Sequence, residues 1–204
     1  MEIHAPHRPI HSFKEMAVQI ALITLGVLIA LSFEGVASWR EHRALVREAR
    51  ANLTNEIRDN MKELANRLQQ LPKERENVIH AIDVVEQLTD RKKFEKIKSG
   101  SASVQLGFTT ADLQNASHTT AEVTGAFGLM EYEEVKKYTT LYGHQELYVR
   151  FQHDAMQTMS RSLATVAIFA EPEKATAREV EDCKAQMHLT LAAMTVEEQL
   201  GQSF

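Results

Sequence analysis

The apolar positions of this chain fall into two regimes. Residues 16–33 form an almost unbroken apolar run without a charge or a proline, whereas beyond residue 40 apolar residues recur every three or four positions among charged ones. A helix crossing a hydrocarbon core of about 30 Å needs ~20 residues, with ~17–25 the usual range. The run meets the lower limit. Residues up to Trp39 complete the crossing, because an indole suits the headgroup layer and the Glu34 carboxylate can reach water from the last turn. The expected arrangement is a tail over 1–15 and a transmembrane helix over 16–36. A cleaved signal peptide is the competing reading, but its apolar core is about 7–15 residues, shorter than this run.

The second regime reads as helices throughout. Val46, Ala49, Leu53, Ile57, Met61, Leu64, Leu68 and Leu71 carry the first helix out of the membrane over 37–71, with Pro72 ending it and opening a second. That second helix has Val78, Ile82, Val85 and Thr89 on one face and ends after Lys92, Lys93, Lys96 and Lys98 at Ser99-Gly100. A short third helix, capped by Thr109 or Thr110, runs to Val123 with Leu113, Ala116 and Thr120 on its face. The fourth, over 131–170, carries a heptad through Val135, Tyr138, Tyr142, Gln145, Val149, Gln152, Met156, Met159 and Leu163, widened by Leu141, Tyr148 and Ala155. After Pro172 a last helix over 173–200 turns Val180, Cys183, Met187, Leu191 and Met194 inward. No segment alternates as a strand does. The expected fold is all-α, an N-terminal transmembrane helix continuing into a long helix that packs in a four- to five-helix bundle, with 72–204 forming the rest of the bundle.

Composition adds restraint rather than detail. A formal charge of −5 with 25% charged residues fits a water-exposed helical body and gives no sign of a nucleic-acid binder. The single cysteine, Cys183, cannot form an internal disulfide and leaves the compartment open. Arg8 and Lys14 precede the span and Arg40, Arg43, Arg47 and Arg50 follow it, so a count of basic residues puts the body in the cytoplasm.

No HExxH, CxxC, GxSxG, P-loop or dinucleotide-binding glycine pattern occurs, so no catalytic residue, cofactor or metal site is expected. His4, His7 and His11 have ligand chemistry but lie in a short proline-bearing tail. What remains are candidate contact residues. Gly26 and Ala30 form a small-xxx-small pair that, with Gln19, favours helix association in lipid. Glu34 and Trp39 are interfacial anchors, and Glu34 has a second reading as an ion ligand within an assembly. Tyr138, Tyr142, Gln145, Tyr148 and Gln152 share a face that makes either a pocket or an interface.

The stretch ALITLGVLIALSFEGVASWREHR, residues 21–43, leads into a helix with Leu53, Glu56, Ile57 and Asn60. It resembles the entry of uncharacterised single-span bacterial membrane proteins with an LGVLIAL, Trp, Arg-rich anchor helix and a helical C-terminal domain. Residues 119–142, with Gly125-Ala126-Phe127-Gly128 and Leu141-Tyr142, resemble their later signature. The resemblance implies a bacterial inner membrane and a periplasmic body, against the arginine count, and brings no activity. Two functional classes follow. One is a non-enzymatic anchored protein that self-associates or docks on a larger membrane complex, with the bilayer and a like or unlike chain as partners. The other is a sensor or small-ligand-binding bundle.

Overall fold

The computed structural model describes residues 13–88, 104–169, 171 and 174–203. All regular structure among them is helical. Four α-helices follow one another: α1 (Phe13–Leu88), α2 (Ala116–Val123), α3 (Tyr132–Thr165) and α4 (Ala177–Gln202), with 3-10 turns at Ala126–Leu129 and Val166–Phe169. The 76 residues of α1 make a rod of roughly 110 Å at 1.5 Å per residue.

The break expected after Leu71 is absent, because Pro72 lies inside α1. A proline there removes one backbone hydrogen bond and crowds the carbonyl of Leu68, at a cost of about 3 kcal/mol. Packing on both sides outweighs that cost. Val46, Leu53, Asn60, Arg67, Glu74 and Ala81 are buried at steps of seven, as are Leu64, Leu71, Val78 and Val85, so one face runs through the proline without a change of register. Met61, given to the inward stripe by its spacing, is instead 62% exposed. The lysine-rich end over 89–100 lies outside the described residues.

Thr109 and Thr110 do not cap a helix. Residues 104–115 have no regular structure, and α2 starts at Ala116 with Asn115 at its N-cap. Leu113 therefore precedes that helix, and Ala121, rather than Thr120 or Val123, is its buried residue. Gly125 takes a left-handed φ of 75°, a conformation costly for a residue with a Cβ, and turns the chain so that Ala126 is enclosed and Phe127 packs with Ala49, Leu53 and Tyr138. Helix α4 opens with a capping box between Thr176 and Glu179.

Cross-links fix the directions of the long helices. Arg50 meets Glu134 and Glu56 meets Tyr142, so α1 and α3 run parallel. Arg67 meets Glu197 and Lys184 meets Glu86, so α4 runs antiparallel to α1. On α3 the buried ladders are Gln145-Gln152-Met159 and Tyr148-Ala155-Ser162, while Val149, Met156 and Leu163 of the expected heptad are at the surface. The small residues Ala155 and Ser162 explain the shift. They admit α4, where Thr190 lies 2.8 Å from the Ser162 hydroxyl. On α4, Val180, Cys183, Met187 and Met194 are buried as expected, but Thr190 and Glu197 are buried with them and Leu191 only partly covered.

Candidate functional site

Segment 104–115 runs between α1 and α3, and its backbone is held by side chains from both. An amide side chain offers one donor and one acceptor about as far apart as those of a peptide unit. Gln152 uses both on Ala111, accepting from its N–H at 2.7 Å and donating to its carbonyl at 3.0 Å. Asn60 does the same to Gln114, at 2.8 Å and 2.7 Å. Gln145 donates to the Gln114 carbonyl at 2.9 Å and accepts from Asn60 at 2.9 Å. A segment with no ladder of its own thus has backbone groups satisfied inside the protein.

A second cluster closes the lower end. Arg67, 2% exposed, forks onto Glu197, its Nε donating to Oε1 at 2.8 Å and its Nη2 to Oε2 at 3.0 Å. Its Nη1 donates to Glu74 at 2.5 Å and to the Thr109 hydroxyl at 3.0 Å. Thr109 N–H donates to the other Glu74 oxygen at 3.0 Å. Tyr148 donates to Glu197 at 3.2 Å, and the Phe108 ring lies 4.4 Å from the Arg67 guanidinium carbon. Burial opposes the charge on Arg67, yet the hydrogen bonds and charges of Glu197 and Glu74 outweigh it and hold its pKa above the ordinary arginine value.

At the upper end Glu56 bridges two elements. Its Oε2 accepts from the Ser117 N–H at 2.7 Å, capping α2, whose own N-cap makes no side-chain bond. Its Oε1 accepts from the Tyr142 hydroxyl at 2.6 Å.

The expected pocket face is therefore largely occupied by the chain itself. Tyr142, Gln145, Tyr148 and Gln152 are buried, and Tyr138 is half-buried against Phe127. An open cleft of about 350 Å³ remains beside them, lined by Leu113, Asn115, His118, Tyr142, Gln145 and Glu146 among others. His118 packs on Phe127 and Tyr142, and its buried Nε2 has no hydrogen-bond partner among the described residues. No group of His, Cys, Asp or Glu suited to a metal ion occurs among the described residues. His4, His7 and His11 lie outside them. The Cys183 thiol is buried, and burial raises its pKa, which keeps it protonated.

No family model, curated protein or solved structure matches this chain.

Apolar spacing does not reveal the roles of Glu56, Asn60 and Thr109 in this seam, nor the involvement of Arg67, Glu74 and Glu197. A signal was present: Asn60, Arg67 and Glu74 fall on the same seven-residue ladder as Leu53 and Ala81. Polar residues repeated at one interior position require partners there.

The buried phenols give a pH prediction. Burial, followed by the hydrogen bond to Glu56, raises the pKa of Tyr142, and burial followed by the Glu197 charge raises that of Tyr148. Unfolded tyrosine titrates near pH ~10. The folded state holds these protons more tightly, so this stability is complete below pH ~10 and is lost as the pH climbs toward the folded-state values. Tyr142 and Tyr148 should therefore gain phenolate absorbance only as helicity falls. Full ionisation of all the tyrosines with helicity intact would refute their burial.

Proposed function

We propose that this chain is a non-enzymatic, membrane-anchored helical protein that self-associates or docks as an accessory subunit of a larger membrane complex. The observation carrying this reading is the N-terminal part of α1. It is long and apolar enough to cross a membrane, and none of its apolar window is buried against the body. Every large apolar side chain from Val18 to Val36 is at least 49% exposed. A core helix of a water-soluble protein would cover such a stripe, and water would not tolerate it bare. The one hydroxyl in its second half with a described bond, Ser32, donates back to the Leu28 carbonyl at 2.7 Å, which suits hydrocarbon surroundings.

On this reading 16–36 is the span, α1 continues beyond it as a membrane-proximal helix to Leu88, and α2, α3 and α4 complete a helical bundle with it. Glu34 and Trp39, both exposed, act as interfacial anchors. The resemblance noted above supports a bacterial inner membrane with a periplasmic body, although the arginines after Trp39 favour the opposite side. A topology reporter fused after Phe204 that works only in the cytoplasm would reverse that placement.

Association is assigned to the face bearing Gln19, Gly26 and Ala30. A Cβ added at Gly26 meets nothing within 4 Å among the described residues, so a larger side chain there meets no neighbour within them. Gly26→Leu or Ala30→Leu should lower the oligomer population seen by native mass measurement in nanodiscs, while Ala30→Gly should leave it nearly unchanged. Equal masses for all the variants would remove this face as the interface.

The sensor reading is kept for one observation, the unpartnered His118 Nε2 beside the cleft on Tyr142 and Gln145. Its test is ligand-induced protection of His118 from chemical modification.

A further inference from the structure

Immediately beyond the apolar run, α1 carries a cleft of about 400 Å³ lined by Trp39, His42, Arg43, Val46, Arg47, Arg50 and Leu129. Its cations are not equivalent. Arg50 is committed to Glu134, donating from Nε at 2.7 Å and from Nη2 at 2.6 Å. Arg43 and Arg47 make no ion pair among the described residues. The Arg43 guanidinium carbon lies 4.7 Å from the centre of the Trp39 ring, and Arg47 Nε donates to the Arg43 carbonyl at 3.3 Å. Both side chains thus lean back one turn toward the helix N-terminus, the direction in which helical side chains are biased. In this chain that direction is toward the apolar run.

The depth agrees. The polar layer of each leaflet is about 5–7 Å thick outside the hydrocarbon core. Trp39 lies about 4.5 Å beyond Val36 along the helix, and the Arg43 carbonyl bound by Arg47 about 10 Å beyond, at 1.5 Å per residue. The leaning guanidinium groups therefore span the level of the lipid phosphates and its outer rim. A guanidinium presents a planar fork of donors matched to phosphate oxygens, and Trp39, Val46 and Leu129 give the cleft an apolar side.

We propose that this cleft binds the phosphate of an anionic phospholipid headgroup, with Arg43 and Arg47 as its cationic ligands and Trp39 against the glycerol region. The proposal rests on reading residues 16–36 as a membrane span. It works in either leaflet and does not depend on the orientation of the body.

Trp39 is the only tryptophan in the chain and reports on the site directly. The full chain is reconstituted in phosphatidylcholine nanodiscs containing a small fraction of nitroxide-labelled phosphatidylglycerol or, in parallel, equally labelled phosphatidylcholine. Each basic residue near an anionic surface is worth about fivefold in association, so phosphatidylglycerol should quench Trp39 with an apparent affinity about tenfold or more above that of phosphatidylcholine. Arg43→Gln with Arg47→Gln should bring the two lipids within about twofold, with helicity unchanged, and Arg58→Gln with Arg150→Gln should keep the preference. Equal quenching by both lipids in the native chain overturns the proposal, as does a preference that survives Arg43→Gln with Arg47→Gln. Displacement of labelled phosphatidylglycerol by millimolar inorganic phosphate overturns the lipid source and makes this a soluble-phosphate site. Failure of the chain to enter nanodiscs, or quenching by neither lipid, instead removes the span on which the proposal rests.

Discussion

Arg67→Met is expected to destabilise the folded body by about 3–5 kcal/mol, the usual cost of removing one partner from a buried ion pair. It would leave Glu197, which is 0% exposed, with a charge and no cation, and deprive Glu74 and Thr109 of a donor. Against a total stability of about 5–15 kcal/mol for a domain of this kind, that is a major loss. Denaturant unfolding of the full chain in detergent, followed by circular dichroism, measures it. Arg67→Met combined with Glu197→Leu should recover a large part of the loss, because replacing both members of a buried pair by apolar groups is often close to neutral. A single variant as stable as the parent would mean that the cluster is hydrated or open in solution.

The second large effect concerns the opposite end of α1. Leu25→Arg with Ile29→Arg places two cations near the middle of the apolar run, at about 2.5–3.5 kcal/mol each, or ~5–7 kcal/mol together. The variant should leave the membrane fraction, or fail to enter it, while the body keeps its fold, because the run has no buried contact with that body. Sedimentation of membranes, with near-ultraviolet circular dichroism of the released protein, tests both halves. Continued membrane retention would discount the span. Loss of the folded body would identify the run as part of a packed core.

Much of the helix content was legible from spacing alone. The periodicity of Leu53, Leu64 and Leu71 marks α1 as far as Pro72, and Glu171-Pro172 separates the last two helices in sequence. Local propensity at Pro72 argues for a break, whereas continuous burial of Arg67, Leu71, Glu74 and Val78 supports a through-running helix. The same blindness hid the seam around segment 104–115. The spacing puts Gln145 and Gln152 on the heptad face, but their role depends on Ala111 and Gln114, more than thirty residues away in sequence. Thr109 looked like a cap by its type and instead meets Arg67, Gln70 and Glu74. Such pairings are set by tertiary approach, and hydrophobic periodicity contains no information about which polar interior position meets which backbone group. The basic cleft fell between these cases. Its arginines were visible, but the leaning of Arg43 onto Trp39 and the commitment of Arg50 to Glu134 separate free cations from paired ones only in three dimensions.

A membrane-spanning N-terminal helix carrying a helical body can be tested directly with the chain's single cysteine. With Cys183 replaced by Ala, one new cysteine is moved position by position from residue 13 to residue 50, and each variant is exposed in native membranes to a water-soluble maleimide. A spanning helix gives a continuous protected stretch over 16–36, close to the ~20 residues that cross a bilayer, with labelling restored on both sides. A uniform labelling pattern through Gly26 and Ala30, or protection repeating every three or four residues as on a helix packed against protein, would contradict it.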